Sequence, residues 1–212
     1  MRQRNVKNKK EIIENSSYVI LEPSLYKGKW KEVFENNNPI YIEIGMGKGD
    51  FIIENAKRFP NINFIGIEKF DSIIALAIKK IPLGLSNLKL IRMDARNITD
   101  VFDKEIERIY LNFSDPWPKP RHEKRRLTSK DFLCLYNNIF RNDNDIMMKT
   151  DNRNLFEYSL ISFNKMGYVI DEISLDLHNS CKEDNIETEY ERKFSLKNNV
   201  IYYVKVIKKT SF

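Results

Sequence analysis

The sequence predicts an α/β fold: a mainly parallel seven-stranded sheet with an antiparallel last strand and helices on both faces. Apolar strand-like runs alternate with segments of helical periodicity along most of the chain. A glycine-rich turn joins the first of these strands to the first helix, and acids recur at the ends of the strands that follow. Such alternation makes the helices crossovers between parallel strands.

Pro39–Ile44 reads as the first strand. The pattern over Gly49–Phe59 is helical, with Asp50 near its start and Pro60 stopping it. Ile62–Ile67 is a second strand, rich in β-branched residues. Asp71–Ile81 is helical until Pro82 and Gly84 end it, and Leu88–Met93 is the third strand. Glu107–Phe113 is the fourth. Thr128–Phe140 reads as a helix capped by Thr128 or Ser129, and Cys134 on its apolar pattern reads as a core thiol. Asp145–Lys149 is a fifth strand, and Asn152–Lys165 a helix closed by Gly167. Tyr168–Leu175 and Val200–Ile207 complete the set. No clear helical crossover forces these last two strands parallel, so they suit a closing antiparallel pair.

A length of 212 residues suits one domain spanning 1–212, at about 100–200 residues per domain. No apolar run approaches the roughly 18–20 residues that span a bilayer. Residues 1–17 are basic, lack a signal-peptide apolar stretch, and read as a flexible N-terminal arm of a cytoplasmic protein. Cys134 and Cys181 form no CxxC pair, and His122 and His178 are the only histidines. That scarcity argues against a metal site and against a Ser-His-Asp triad. The net charge of +6 is modest, but the cations cluster at Arg2–Lys10, Lys27–Lys31, Lys119–Arg126 and Lys205–Lys209. Clusters of this kind suit a polyanion, with a solvated face as the plain alternative.

Gly45, Gly47 and Gly49 stand in the segment Glu43-Ile44-Gly45-Met46-Gly47-Lys48-Gly49-Asp50, between strand and helix. Glycines there let the backbone turn tightly and approach a ligand closely. Glu68 follows at the end of the second strand, where a carboxylate can accept from both hydroxyls of a ribose. Asp94 and Ala95 follow the third strand, where an adenine ring is expected. A dinucleotide would bring its pyrophosphate against Glu43 and Asp50. S-adenosylmethionine brings a sulfonium and an ammonium instead, so electrostatics favours it.

The fourth strand runs into Asn112-Phe113-Ser114-Asp115-Pro116-Trp117-Pro118-Lys119, and Pro120-Arg121-His122-Glu123-Lys124-Arg125-Arg126 follows at once. An acid held between prolines and a tryptophan beside a cationic segment suggests a reaction centre next to a polyanion grip. The prolines stiffen the loop. Trp117 can either stack on a target base or anchor the loop in the core. Arg121, Lys124, Arg125 and Arg126 can reach phosphates beside a bound nucleotide. The Ser-Asp-Pro-Trp step also has a relative in DNA adenine and related amino methyltransferases, although those carry two successive prolines.

The whole segment resembles the signature of bacterial tRNA (guanine-N(7)-)-methyltransferases. Further blocks agree in order: Tyr26–Trp30, Glu43–Gly49, Gly66–Lys69, Asp94–Arg96, Lys149–Asn152 and Thr188–Phe194. Asn112 and Pro120 depart from the usual pattern. The resemblance implies the Rossmann-like class I methyltransferase fold and methyl transfer from S-adenosylmethionine to nitrogen 7 of a guanine in the tRNA variable loop, without a metal. It assigns Glu43, Glu68, Asp94 and Asp115 to the cofactor, with Asp115 also catalytic. It assigns Lys119, Asp151, Thr188, Glu189, Tyr190 and Glu191 to the substrate, and Arg121, His122, Lys124, Arg125 and Arg126 to RNA. On residue pattern alone, Thr188–Glu191 reads first as a helix cap. The competing functions are adenine amino methylation, RNA binding without catalysis and, more distantly, an NAD-dependent oxidoreductase.

Overall fold

A computed structural model of the protein describes residues 6–180, 185–195 and 199–208. Its strands are β1 (Val19–Ile20), β2 (Ile40–Ile44), β3 (Asn63–Glu68), β4 (Leu88–Arg92), β5 (Ile106–Asn112), β6 (Phe140–Thr150), β7 (Val169–Ser174) and β8 (Tyr202–Lys208). The helices are α1 (Lys9–Glu14), α2 (Trp30–Phe34), α3 (Asp50–Arg58), α4 (Asp71–Ile78), α5 (Ile98–Val101), α6 (Lys130–Ile139), α7 (Arg153–Lys165) and α8 (Glu189–Ser195). No described helix is long and apolar enough to cross a membrane.

The strands form one sheet in the order β1-β4-β3-β2-β5-β6-β8-β7. Pairing is parallel from β1 through β6, while β8 inserts antiparallel between β6 and β7. The antiparallel last strand is as expected, but the sheet has eight strands rather than seven. The extra strand, β1, pairs Val19 with Leu90 and Ile20 with Ile91. Two residues are too few to show a period in the sequence.

The basic N-terminal segment is not simply an arm. Residues 1–5 lie outside the described residues, but α1 packs on α4 and buries Ile13. Cys134 also departs from expectation. Phe132, Leu133, Tyr136 and Ile139 take the buried face of α6, which turns Cys134 outward. Cys181 lies outside the described residues.

Alternation along the strands divides the core between the two faces of the sheet. Ile42, Ile44, Ile65, Ile67, Ile109, Leu111, Ile146 and Met148 pack on one side, with residues of α2, α5, α6 and α7. Phe64, Leu88, Leu90 and Tyr110 pack on the other, with residues of α1, α3 and α4. On β5 and β6, Arg108 and Asp145 are paired in register and joined by two hydrogen bonds, Nε–Oδ1 at 2.6 Å and Nη2–Oδ2 at 2.7 Å.

The Tyr26–Trp30 block is a clasp in this frame. Trp30 is fully buried, and its indole N–H donates to the Val101 carbonyl at 2.9 Å. The Glu105 carboxylate accepts from the Gly28 and Trp30 backbone N–H groups, each at 2.9 Å. The flanking Lys27, Lys29 and Lys31 stay exposed. Trp30→Ala is therefore expected to cost about 3–5 kcal/mol, since it opens a large cavity and strands a buried carbonyl. Urea unfolding followed by circular dichroism measures the loss.

Candidate active site

The sheet turns at β2. The chain winds outward through β3 and β4 on one side and through β5 and β6 on the other. Open α/β sheets bind ligands in the crevice at the carboxyl ends of the strands beside such a turn. A cleft of about 910 Å³ opens there. Its wall includes Gly45, Gly47, Glu68, Asp94, Ala95, Ser114, Asp115 and Trp117. Gly45, Gly47, Glu68, Asp94 and Ala95, all expected at the cofactor, thus converge with the acid of the proline loop.

The glycine loop has the conformation its composition suggests. Gly47 has φ 57°, and a Cβ added there would enter open space beside the cleft. Gly49 has φ 79°, and a Cβ there would come within 3.2 Å of Ala77 on α4. One glycine thus leaves room for a ligand and the other for close packing.

Each acid is held differently. The Glu68 carboxylate accepts three backbone N–H bonds, from Gly47 at 3.2 Å, Lys69 at 2.8 Å and Phe70 at 3.2 Å. Burial outweighs those bonds and pushes its pKa up, with the nearby Asp115 charge adding to the rise. Asp94 accepts from the Lys69 ammonium at 2.8 Å and the Arg96 N–H at 3.0 Å. Partial burial works against ionisation of Asp94, but those donors overcome it and hold the carboxyl below its usual range. Asp115 is exposed at the cleft wall.

Glu43 stands apart. It lines a second pocket of about 510 Å³, which shares Gly45, Gly47, Lys48 and Phe113 with the first. Its Oε1 accepts from the Asn112 amide at 2.9 Å, while the buried Oε2 has no partner among the described residues. Burial raises the carboxyl to about 8, against the lowering effects of Asn112 and Lys149. Burial thus favours the protonated form of Glu43 at neutral pH.

The second pocket is closed by α8, and here the substrate block divides. The Glu191 N–H donates to Thr188 Oγ1 at 2.9 Å, and the Thr188 N–H donates to Glu191 Oε2 at 3.3 Å. This is a reciprocal cap, the reading that the pattern alone favoured. Glu191 is fully buried and pairs with Lys149 Nζ at 3.0 Å, while Asn185 donates to its other oxygen at 2.7 Å. Its carboxylate is thus buried and engaged, and Glu191 does not line the pocket with the rest of the block assigned to substrate. Thr188, Glu189 and Tyr190 line the pocket. Glu189 pairs with Lys48 of the glycine loop at 2.6 Å, which holds its carboxyl low. The Tyr190 ring lies 4.9 Å from that of Phe113, and its hydroxyl donates to Asp151 at 3.2 Å.

The cationic segment divides as well. Lys119, Arg121 and Lys124 are exposed. Trp117 is half-buried on the cleft wall rather than in the core, with the Arg125 guanidinium 4.8 Å from its ring centre. His122 meets the same ring edge-on at 5.6 Å. Arg126 turns inward, and its Nη2 donates to the Trp117 carbonyl at 3.0 Å. Its Nε and Nη2 are thus engaged by the backbone of the loop, which sets it apart from the exposed cations assigned with it to RNA.

Asn112, Lys149 and Tyr190's neighbour Phe113 take parts that residue types alone did not announce. Asn112 and Glu43 meet only because β2 and β5 pair with Glu43 opposite Tyr110, two residues before Asn112. The one signal available was that Asn112 ends β5 and Glu43 lies one residue before the end of β2, beside the sheet's turn.

The sequence model of a family described as a putative methyltransferase matches residues 37–204. A tRNA (guanine-N(7)-)-methyltransferase of Geobacillus kaustophilus is 50% identical over 202 residues, covering 94% of this chain and 93% of that protein. One from Streptococcus gordonii is 51% identical over 210 residues, covering 98% and 99%. Among solved structures, the 16S rRNA methyltransferase KamB superposes with a TM-score of 0.65 at 11% identity, over 86% of this chain and 94% of that one. An antibiotic-related methyltransferase superposes at 0.64 with 17% identity, over 86% and 94%. At these identities the superpositions speak for the Rossmann-like class I methyltransferase fold. With half its residues shared over nearly its full length, the chain belongs to the tRNA (guanine-N(7)-)-methyltransferase family.

Proposed function

We propose that this enzyme methylates nitrogen 7 of a guanine in the variable loop of tRNA, using S-adenosylmethionine, and that its two adjoining pockets divide the reactants between them. The observation that carries this division is the shared wall of Gly45, Gly47, Lys48 and Phe113 between the larger cleft and the smaller pocket. Glu68 suits the ribose, and Asp94 with Ala95 the adenine end. S-adenosylmethionine supplies an electrophilic methyl group when bound. Thr188, Glu189 and Tyr190 line the side assigned to the base, with Asp151 held to Tyr190. Lys119, Arg121 and Lys124, and Arg125 over Trp117, face the RNA. tRNA as substrate implies a cytoplasmic enzyme.

Ring nitrogen 7 has an in-plane lone pair and needs no deprotonation. The protein's task is then to align that lone pair and to stabilise the positive charge that develops on the base. Asp115 lies on the cleft wall next to Ser114 and close enough to Glu68 to raise its pKa. Its role is electrostatic and positional rather than proton removal.

Incubation with methyl-labelled cofactor and unmodified tRNA, followed by nucleoside identification, tests the reading. 7-Methylguanosine supports it; methyladenosine, or binding without transfer, overturns it. Asp115→Asn is expected to lower kcat about 100-fold while the KM for tRNA changes little. Arg121→Ala or Lys124→Ala should each flatten the slope of log affinity against log salt by about 0.7–0.9, read by filter binding.

The Glu43 carboxyl rises from 4.5 to about 8 in the folded protein. Between those values the folded state holds a proton that the unfolded state has lost. The neutral acid's contribution is thus complete below the lower value and disappears as pH rises through the upper one. Glu43→Gln cannot ionise. Its melting temperature should therefore gain on that of the wild type between about pH 5 and about pH 9. A constant difference across that range would remove the buried proton from the account.

A further inference from the structure

The loop that carries Asp115 is held in a costly shape. Phe113 has φ 50° and Trp117 has φ 41°, both in the left-handed region with bulky side chains. Such a conformation is costly for a bulky residue and persists only where its surroundings over-determine it. Pro116, Pro118 and Pro120 contribute no backbone N–H, so the loop must be tied largely by its carbonyls.

Arg126 supplies that tie. Its Nε donates to the carbonyls of Pro116 at 3.1 Å and Trp117 at 3.3 Å, and its Nη2 donates to Trp117 at 3.0 Å. The guanidinium lies 4.2 Å from the ring centre of Tyr158 on α7. The Tyr158 hydroxyl donates to Glu123 at 2.9 Å, which returns the contact to the segment that bears Arg126. Burial and then Glu123 keep that hydroxyl protonated, at about 12. α7 itself is seated by buried bonds, including Ser162 Oγ to the Thr128 carbonyl at 2.6 Å. A planar guanidinium can serve two carbonyls and an aromatic face at once, whereas an ammonium is a point charge without that geometry.

We infer that Arg126, Tyr158 and Glu123 form a latch that positions Asp115 and Trp117 at the cleft, and that Arg126 acts on the reaction through this loop rather than on a phosphate. The inference rests on the proposed role of Asp115. The cationic segment then has two jobs: its exposed members hold RNA, and its last arginine holds the loop that presents the reaction centre to that RNA.

Arg126→Lys, Tyr158→Leu and their double variant test the latch in the full-length protein, in three measurements. Acrylamide quenching of tryptophan fluorescence reports the loop without any turnover, because Trp30 is buried and Trp117 is the only other tryptophan. Quenching should increase in both single variants. Steady-state methylation should show kcat lowered about tenfold or more with the KM for tRNA nearly unchanged, since small misplacements near the reacting groups are costly. The double variant should lose no more than the worse single, as expected for residues acting through one contact. The salt slope of tRNA binding should stay at the wild-type value.

A slope flattened by about 0.7–0.9 in Arg126→Gln, which removes the charge that a lysine would keep, with kcat kept, would mark Arg126 as a phosphate contact and overturn the inference. Unchanged quenching would overturn it as well. If Arg126→Lys fails to fold, Tyr158→Phe keeps the ring and removes only the bond to Glu123. An unchanged kcat and unchanged quenching in that variant would also count against the latch. Increased quenching with no effect of any variant on turnover would uphold the tie to the loop but sink the role assigned to Asp115.

Discussion

The parallel pairing of β2 with β5 is the constraint on which the site depends. It sets Glu43 opposite Tyr110 and so brings the Asn112 amide to the Glu43 carboxyl at the mouth of the crevice. On one side of that junction the glycine loop leaves β2, and on the other the proline loop leaves β5. The remaining wall of the larger cleft, with Glu68, Asp94 and Ala95, hangs from the ends of β3 and β4. A backbone ladder is a stiff reference, and the acids inherit its precision.

Burial at this junction changes the electrical character of the site. An isolated carboxylate pushed into a dry crevice is costly, so burial favours the protonated form of Glu43 while Asp94, which meets Lys69, is held ionised. Lys149 shows the same conflict with a different outcome. It is almost wholly buried, and burial lowers its pKa despite the opposing pull of Glu191. The pair, together with the Thr188 cap, fixes the start of α8 against the end of β6. α8 in turn carries Tyr190 to Phe113 and Glu189 to Lys48, closing the pocket over the glycine loop.

Charge near the reaction centre serves structure as well as ligand. Arg125 covers one aromatic wall, Arg126 ties a strained loop to α7, and Arg121 and Lys124 extend into solvent. Neighbouring cations in one short run thus perform unlike tasks. Sequence pattern reports their sum, while local backbone direction decides which charge is free.

The sequence by itself determined the kind of protein. Local periodicity placed the main strands and helices, because each reflects contacts a few residues apart. The tight turn at Gly45–Gly49 and the strand-end positions of Glu68 and Asp94 were legible because a glycine turn and a strand end have short-range requirements. Recurring blocks along the chain carried the family. The tertiary structure decided what depends on distant partners. It added β1 beside β4, turned Cys134 outward, and placed the basic N-terminal segment against α4 in part. It also separated Glu191 from Glu189 and Arg126 from Arg121, though their side chains carry the same charge. The reason is physical: a residue's type sets what it can bond, but burial and the partners brought by folding determine which bond it makes.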